Sequence, residues 1–347
     1  MEKGNGTAHT LERVAELAGV SRSTVSRVLN DDPHVRTSTR EKILEVVERE
    51  GYVRNRAARV LASGRTGMIG IVISVDLAEV FSDPFFAALL RQLYSASRRR
   101  DLVVSVWLLE DRDDRKTVDL ITRGSTLDGA IVAAGRIDDP VVAALNTTNK
   151  PFVLLGRPAE GQRLSYVDID NRTAERNATA HLLRLGRRRI AHLAGPDFAV
   201  AAIDRKAGYL DALARAGIEP DSDLIHHGDF SAADAVSGTR RVMEHHPDAI
   251  VAANDVMATA AMGELAAMGV RVPEDVAVIG FDDLRASNRT TPPLTTVRQS
   301  ISVLASEAVR TLTDLIEDPD LPPQQVVIPT ELIVRASCGA HSLQGEK

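Results

Sequence analysis

The chain has 347 residues, 44% hydrophobic and 26% charged, proportions of a soluble globular protein with two or three domains rather than of a disordered or fibrous one. Its net charge of −6 divides unevenly: residues 1–66 hold 12 basic and 9 acidic residues, net +3, and the remainder holds 30 and 39, net −9, so a basic head can meet phosphates while an acidic body stays off them. The first ten residues lack the apolar core of a secretory signal and no later run reaches the roughly eighteen apolar residues of a membrane span, so a cytoplasmic protein is expected.

Val14 to Asn30 reads as two short helices meeting at a glycine turn. Thr10 can cap the first, whose inward face is Val14, Leu17 and Ala18 at i, i+3, i+4 spacing. Gly19 supplies the turn. Ser21 can cap the second helix, and Val25, Val28 and Leu29 form its buried stripe. The opposite face carries Arg22, Ser23, Ser26 and Arg27, and guanidiniums and small hydroxyls opposite an apolar stripe suit a helix lying in the DNA major groove. A third helix is expected from Ser38, with a capping box to Glu41, apolar positions Ile43, Leu44, Val46 and Val47, and Gly51 as its stop. Asn55 to Gly64 offers a cap, a short helical run and a glycine stop.

Thr10 to Gly67 resembles the head and hinge of the LacI/GalR family of bacterial transcription regulators. The resemblance implies that the hinge becomes helical on operator DNA and that Leu61, with Ala58 one turn earlier, wedges into the minor groove and bends the duplex. Arg54 departs from the pattern, which has proline before the hinge asparagine. The expected DNA-binding set is Ser21, Arg22, Ser23, Thr24, Ser26, Arg27, Asn30, Asn55, Ala58 and Leu61. Within it Arg22, Ser23 and Arg27 read base edges, and Ser21 and Thr24 meet phosphates.

Beyond the hinge, strands and helices alternate, which implies parallel sheet covered on both faces. Strands are expected at Met68–Val75, Leu102–Leu109, Gly129–Ala134 and Pro151–Gly156. The intervening helices cover about Asp83–Arg100, Arg115–Arg123 and Pro140–Leu145. A second series is expected to open at Tyr166–Asn171 and to run through a helix to Leu185 and the strand Ile190–Gly195. It continues with a helix from about Asp204 to Ala216, the strand Asp223–Gly228 and a helix through Met243. Ala249–Asp255, a helix to Met268 and the strand Ala277–Asp283 follow. A helix from about Val303 to Ile316 and a strand Val326–Ser337 returning through both lobes complete the reading. Two series make two lobes.

The fold class expected is therefore an all-α helix-turn-helix head (8–53), a hinge (54–66) and an α/β two-lobed effector-binding and dimerisation body (67–340). The body resembles the periplasmic-binding-protein-like domain of the same family through DPFF (Asp83 to Phe86), RKAGY (Arg205 to Tyr209), AND (Ala253 to Asp255), GFDD (Gly280 to Asp283) and PPLTTVRQ (Pro292 to Gln299).

Ligands in open α/β sheets sit beyond the carboxyl ends of strands, where Arg205, Asn254 and Asp282 fall. Together they offer a cationic donor, a mixed donor and acceptor, and an acceptor, a set suited to the hydroxyls of a sugar. The resemblance implies effector contact at all three positions. Asn254 and Asp255 equally fit caps of the helix that follows, as do Asp170 and Asn171. Of Phe85 and Phe86, one suits stacking on a sugar face and the other the core. The loop Asp197 to Ala202 is apolar where many family members place serine, threonine or arginine toward the ligand.

No cofactor or metal is expected: the histidine pairs at 226–227 and 245–246 lack further ligands at suitable spacing, and no HExxH, GxSxG, P-loop or GxGxxG run occurs. Cys338 is alone, which excludes an internal disulfide. The reading is a sequence-specific transcription regulator, a repressor, controlled by a small-molecule effector, with a homodimer on palindromic operator DNA implied by the resemblance and no membrane. A solute-binding receptor lacks reason for the basic head, and a sugar-processing enzyme lacks a nucleophile or metal set.

Overall fold

Thr10 caps the first described helix by accepting the amide of Arg13 on its hydroxyl at 3.3 Å, and α1 (Leu11–Ala18) follows. The computed structural model describes residues 10–29, 32–52, 65–75, 77–109, 115–134, 136–285 and 287–340. Its contacts define two units, parting between Thr66 and Gly67.

In the first unit Gly19, at φ 65°, turns the chain from α1 into α2 (Arg22–Leu29), and Ser21 accepts the amide of Thr24 at 3.1 Å. α3 (Thr37–Arg49) braces the pair. Val14, Ala15, Ala18, Val25, Val28, Ile43 and Val46 form the buried core, with Leu17, Leu29 and Val47 half-buried around it. Two expectations fail here. The capping box at Ser38 does not form, because the helix begins one residue earlier and Arg36 supplies the first carbonyl, to the amides of Thr39 and Arg40. Leu44 is exposed, since Ile43 and Val46 already fill the inward arc of α3.

The second unit contains two six-stranded sheets. The first orders its strands β11-β5-β4-β3-β1-β2, all parallel. They are β1 (Met68–Ser74), β2 (Val103–Leu108), β3 (Gly129–Ala134), β4 (Phe152–Leu155), β5 (Tyr166–Ile169) and β11 (Gln325–Ile328). α4 (Leu77–Ser82), α5 (Pro84–Arg98), α6 (Arg115–Arg123) and α7 (Pro140–Leu145) connect them. Asp83 and Asp139 cap α5 and α7, each followed by proline at the first helical position, where no amide is needed. Continuous apolar strands such as MIGIVIS suit a sheet buried on both faces, and the middle of β1 is fully buried.

The second sheet orders its strands β12-β10-β9-β8-β6-β7, with only β12 antiparallel. They are β6 (Ile190–Ala194), β7 (Ile225–His227), β8 (Ala249–Ala252), β9 (Ala277–Asp282), β10 (Thr295–Arg298) and β12 (Glu331–Ile333). α8 (Asn171–Arg184), α9 (Val200–Arg215), α10 (Ala232–Met243) and α11 (Asp255–Ala267) accompany it, and α12 (Ile301–Glu317) returns to the first lobe.

Several sequence expectations change. Tyr166–Ile169 closes the first lobe rather than opening the second, because Leu154 pairs with Tyr166 and Leu155 with Val167. The chain therefore crosses at Asp170, at Gln299–Ser300 and at Pro329–Thr330. The last crossing splits the expected strand Val326–Ser337 in two, at a proline that has no amide for a ladder. α9 starts at Val200, so half of the supposed loop Asp197–Ala202 is its first turn. Asp223 and Leu224 lie in a 3-10 turn before β7, and α4 and β10 went unread.

Leu182 on α8 is fully buried in the cluster shared by both lobes. Truncation by Leu182→Ala is expected to cost about 2–5 kcal/mol, read as a lowered urea midpoint.

Candidate functional site

On the first unit, Ser21, Arg22, Ser23 and Arg27 are exposed and Thr24 and Ser26 half-exposed, so the polar face expected of α2 is the one left open to solvent. Arg22 Nε lies 3.2 Å from Glu12 Oε1, an exposed pair that a stronger anion can replace. Ser21 Oγ lies 2.7 Å from Thr24 Oγ1 and 2.8 Å from Ser23 Oγ. Asn30 and the hinge residues Arg54, Asn55, Ala58 and Leu61 lie outside the described residues.

In the second unit a cavity of about 180 Å³ lies between the lobes. Arg205, Asn254, Asp282, Phe85 and Phe86 all line it. They converge because successive strand ends face it: Asp282 ends β9, Asn254 follows β8, and Arg205 sits on α9 after β6. Asp83, Arg136, Arg157, Asp168 and Gln299 also line it and went unnamed as ligands. Arg157 follows β4 and Gln299 follows β10, so the strand-end rule could have found both.

Arg205 is 6% exposed. Its Nε donates to Asn171 Oδ1 at 2.9 Å and Nη1 to the carbonyl of Ala253, its guanidinium stacks 3.6 Å above the Phe281 ring, and Nη1 lies 4.0 Å from Asp282 Oδ1. Gln299 Nε2 donates to Asp282 Oδ1. Burial pushes the Asp282 carboxyl well above the usual range; Arg205 opposes this, and Asp255 and Asp83 add to it. Burial likewise raises Asp168 to about 6 and Asp83 upward. Asp282 adopts φ 115° and Asp283 φ 56°. Asp283 is held there by Arg298 at 2.7 Å and Arg335 at 2.6 Å, partners that can fix a strained backbone beside a ligand site.

Asn254 takes the capping role and also faces the cavity. Its Oδ1 accepts the amide of Met257 at 2.7 Å and caps α11, its Nδ2 donates to the carbonyl of Phe230 at 3.1 Å, and it still lines the cavity. Asp255 is occupied elsewhere, accepting from Leu284, Ser287 and Thr296, and burial raises it to about 6. Asp170 caps α8 through the amide of Thr173. Phe86 is buried while Phe85 is half-buried, their rings edge-to-face at 5.5 Å, which makes Phe85 the ring available to a ligand. Ala199, Val200 and Ala201 add an apolar patch.

Behind Arg205, Glu175 is wholly buried with no hydrogen-bond partner on either carboxyl oxygen. Desolvation raises it to about 8, so it is a neutral acid at pH 7. His192 Nδ1 lies 3.6 Å away and donates to the carbonyl of Val251 at 3.1 Å; burial lowers that imidazole to about 3. Among the described residues no group of three or more His, Cys, Asp or Glu could hold a metal, and no helix is long and apolar enough to cross a membrane.

A helix-turn-helix head joined in one chain to a two-lobed α/β body with a polar interlobe cavity defines a ligand-responsive DNA-binding regulator. Residues 10–55 match the model of bacterial regulatory proteins of the lacI family, and residues 179–338 match the periplasmic binding protein-like domain. The chain is 38% identical to the HTH-type transcriptional regulator CelR of Thermobifida fusca over 94% of its length and 98% of the relative's. It is 32% identical to GalR of Escherichia coli over 96% and 97%. It is similar to the solved CelR–cellobiose complex (36% identity, TM-score 0.74, 94% and 99% covered). It is also similar to the lac repressor dimer bound to operator and the anti-inducer ONPF (30% identity, TM-score 0.78, 95% and 98% covered). The chain belongs to the lacI family of bacterial regulatory proteins, a family of transcription regulators rather than enzymes.

The buried acid gives a pH dependence of known sign. Folded Glu175 keeps its proton up to about pH 8, whereas the unfolded chain loses it near the usual glutamate value of 4.5. The stability it contributes is thus complete below the unfolded value and is lost as pH rises through the folded one. Glu175→Gln removes this dependence, and its melting temperature is expected to gain on that of the parent between pH 5 and pH 8. Parallel curves for the two proteins would mean that Glu175 is ionised when folded.

Proposed function

We propose that the chain is a cytoplasmic repressor that binds a palindromic operator as a homodimer and is controlled by a small sugar in the interlobe cavity. The observation that carries the effector reading is the convergence of Arg205, Asn254 and Asp282 on one cavity whose opposite wall carries Phe85. Charged and amide groups from both lobes, with the ring of Phe85 among them, suit a pyranose, which has a hydroxyl rim and an apolar face. Residues 8–53 form the reading domain, 54–66 the hinge and 67–340 the sensor. Arg22, Ser23 and Arg27 contact base edges and Ser21 and Thr24 phosphates; Ser26, Asn30 and Asn55 belong to the same DNA-binding set, and Leu61, with Ala58 on the same face, enters the minor groove. The dimer on operator in the lac repressor structure and the cellobiose in the CelR structure support this assignment.

Control operates by population shift. The sugar must bind one arrangement of the lobes more tightly than another, and operator affinity changes by that difference and no more.

A gel-shift titration on the DNA upstream of the chain's own gene, with and without glucose and cellobiose, tests the assignment. Arg27→Ala is expected to lower operator affinity about 5- to 100-fold relative to random duplex, the loss of one bidentate base contact. Asp282→Ala is expected to weaken sugar binding about tenfold or more, through loss of a buried polar partner. Equal loss of both functions in either variant would count against separate sites.

A further inference from the structure

Arg157 and Asp204 belong to different lobes, Arg157 just beyond β4 and Asp204 one turn into α9. Their side chains meet in a two-pronged ion pair, Nε to Oδ2 and Nη2 to Oδ1, both at 2.6 Å. The arginine is 35% exposed and the carboxylate 16%. The Arg157 amide is anchored to Asp168 Oδ2 at 2.9 Å, and its Nη1 donates to the carbonyl of Pro158 at 3.2 Å. On one side of the pair lies the cavity of Arg205 and Asp282. On the other lies a second cavity of about 570 Å³, walled by Glu160, Tyr166, Asp170, Arg172 and Gln325. Arg157, Gln162, Asp168 and Asn171 border both.

The two spaces differ in chemistry. The first sets Phe85, Leu89, Ala199 and Val200 against its polar groups, whereas the second adds Glu160, Asp170, Arg172 and Gln325 to a wall whose aliphatic members are Pro158, Ile169 and Val327. Asp204 and Arg205 are consecutive, yet Asp204 faces the second space and Arg205 the first, so one turn of α9 touches both.

We propose that the second cavity is a subsite for the distal ring of a two-ring sugar, and that the Arg157–Asp204 pair is the gate between the two spaces. This rests on the sugar reading of the first cavity. While Asp204 holds Nε and Nη2, Arg157 has little to offer a ligand. The pair is two-pronged, but it leaves about a third of the Arg157 side chain exposed, and hydroxyls reaching past it compete with Asp204 for a charged donor. Opening the gate therefore favours the longer ligand, and Arg157 discriminates between one ring and two.

The two halves of the pair then have opposite effects. Calorimetric titration of the full chain with glucose and with cellobiose gives the ratio of the two affinities. In Asp204→Ala, which frees the donor, the ratio is expected to shift about fivefold toward cellobiose; in Arg157→Ala, which removes it, about tenfold toward glucose. Asp204→Asn and Arg157→Gln repeat the test at nearly constant volume should either alanine variant misfold. A pair that only ties the lobes together would move both variants in the same direction, and that result overturns the proposal. So does an unchanged ratio, or cellobiose binding in neither the parent nor the Asp204 variants while glucose binds. If the parent binds neither sugar, the sugar reading itself fails.

Discussion

The guanidinium of Arg205 lies out of water with carboxyl groups on every side, and the organisation of the body follows from how that charge is balanced. Asp282 is 4.0 Å away, and Asp83, Asp168 and Glu175 all feel its field. Burying a charge costs free energy unless it is paired and hydrogen-bonded. Here the side chain of Asn171, the carbonyl of Ala253 and the face of Phe281 provide that environment, and each comes from a different element. One cation is shared among four carboxyls. Desolvation prevails at Glu175, which it raises to about 8, and it moves Asp282, Asp168 and Asp83 upward as well.

This arrangement requires the two lobes to be parts of one object. The chain passes between them three times, at Asp170, Gln299–Ser300 and Pro329–Thr330, and two of those crossings supply residues to the cavity, Asn171 and Gln299. Across the cleft, Arg136 stacks 3.9 Å from the ring centre of Phe198, and the amide of Ile137 donates to the carbonyl of Phe198 at 3.3 Å. A ligand gripped from both sides meets groups whose separation depends on the lobe angle, which is the differential interaction that a population shift needs.

Patterns that follow from local chemistry were legible in the sequence. Thr10, Gly19 and Ser21 act as read because a cap and a left-handed turn are decided within four residues. Apolar β-branched runs gave nearly every strand of the parallel sheets, since such strands are buried on both faces. Choices made by tertiary pairing were not legible. Nothing local tells Tyr166–Ile169 to join the first sheet, or Leu44 to face water while Ile43 faces inward. The same holds in the cavity. Arg205, Asn254 and Asp282 sit in recognisable motifs, whereas Asp168, and Glu175 behind Arg205, acquire their surroundings only when distant segments meet.

The apolar first turn of α9 narrows what the cavity can accept. Ala199, the residue before the helix, has no side-chain acceptor for the first amides, and neither Val200 nor Ala201 can hydrogen-bond a ligand through its side chain. The polar lining includes Arg205, Asn254 and Asp282 with Asp83, Arg136, Arg157, Asp168 and Gln299, while Phe85 and the α9 turn present carbon. A ligand polar all round would leave hydroxyls against carbon, each stripped of water without replacement. A ligand with one apolar face would not, because its hydroxyls can all point toward the strand ends. The cavity therefore selects for the distribution of polarity around a ring before it selects for any single hydroxyl.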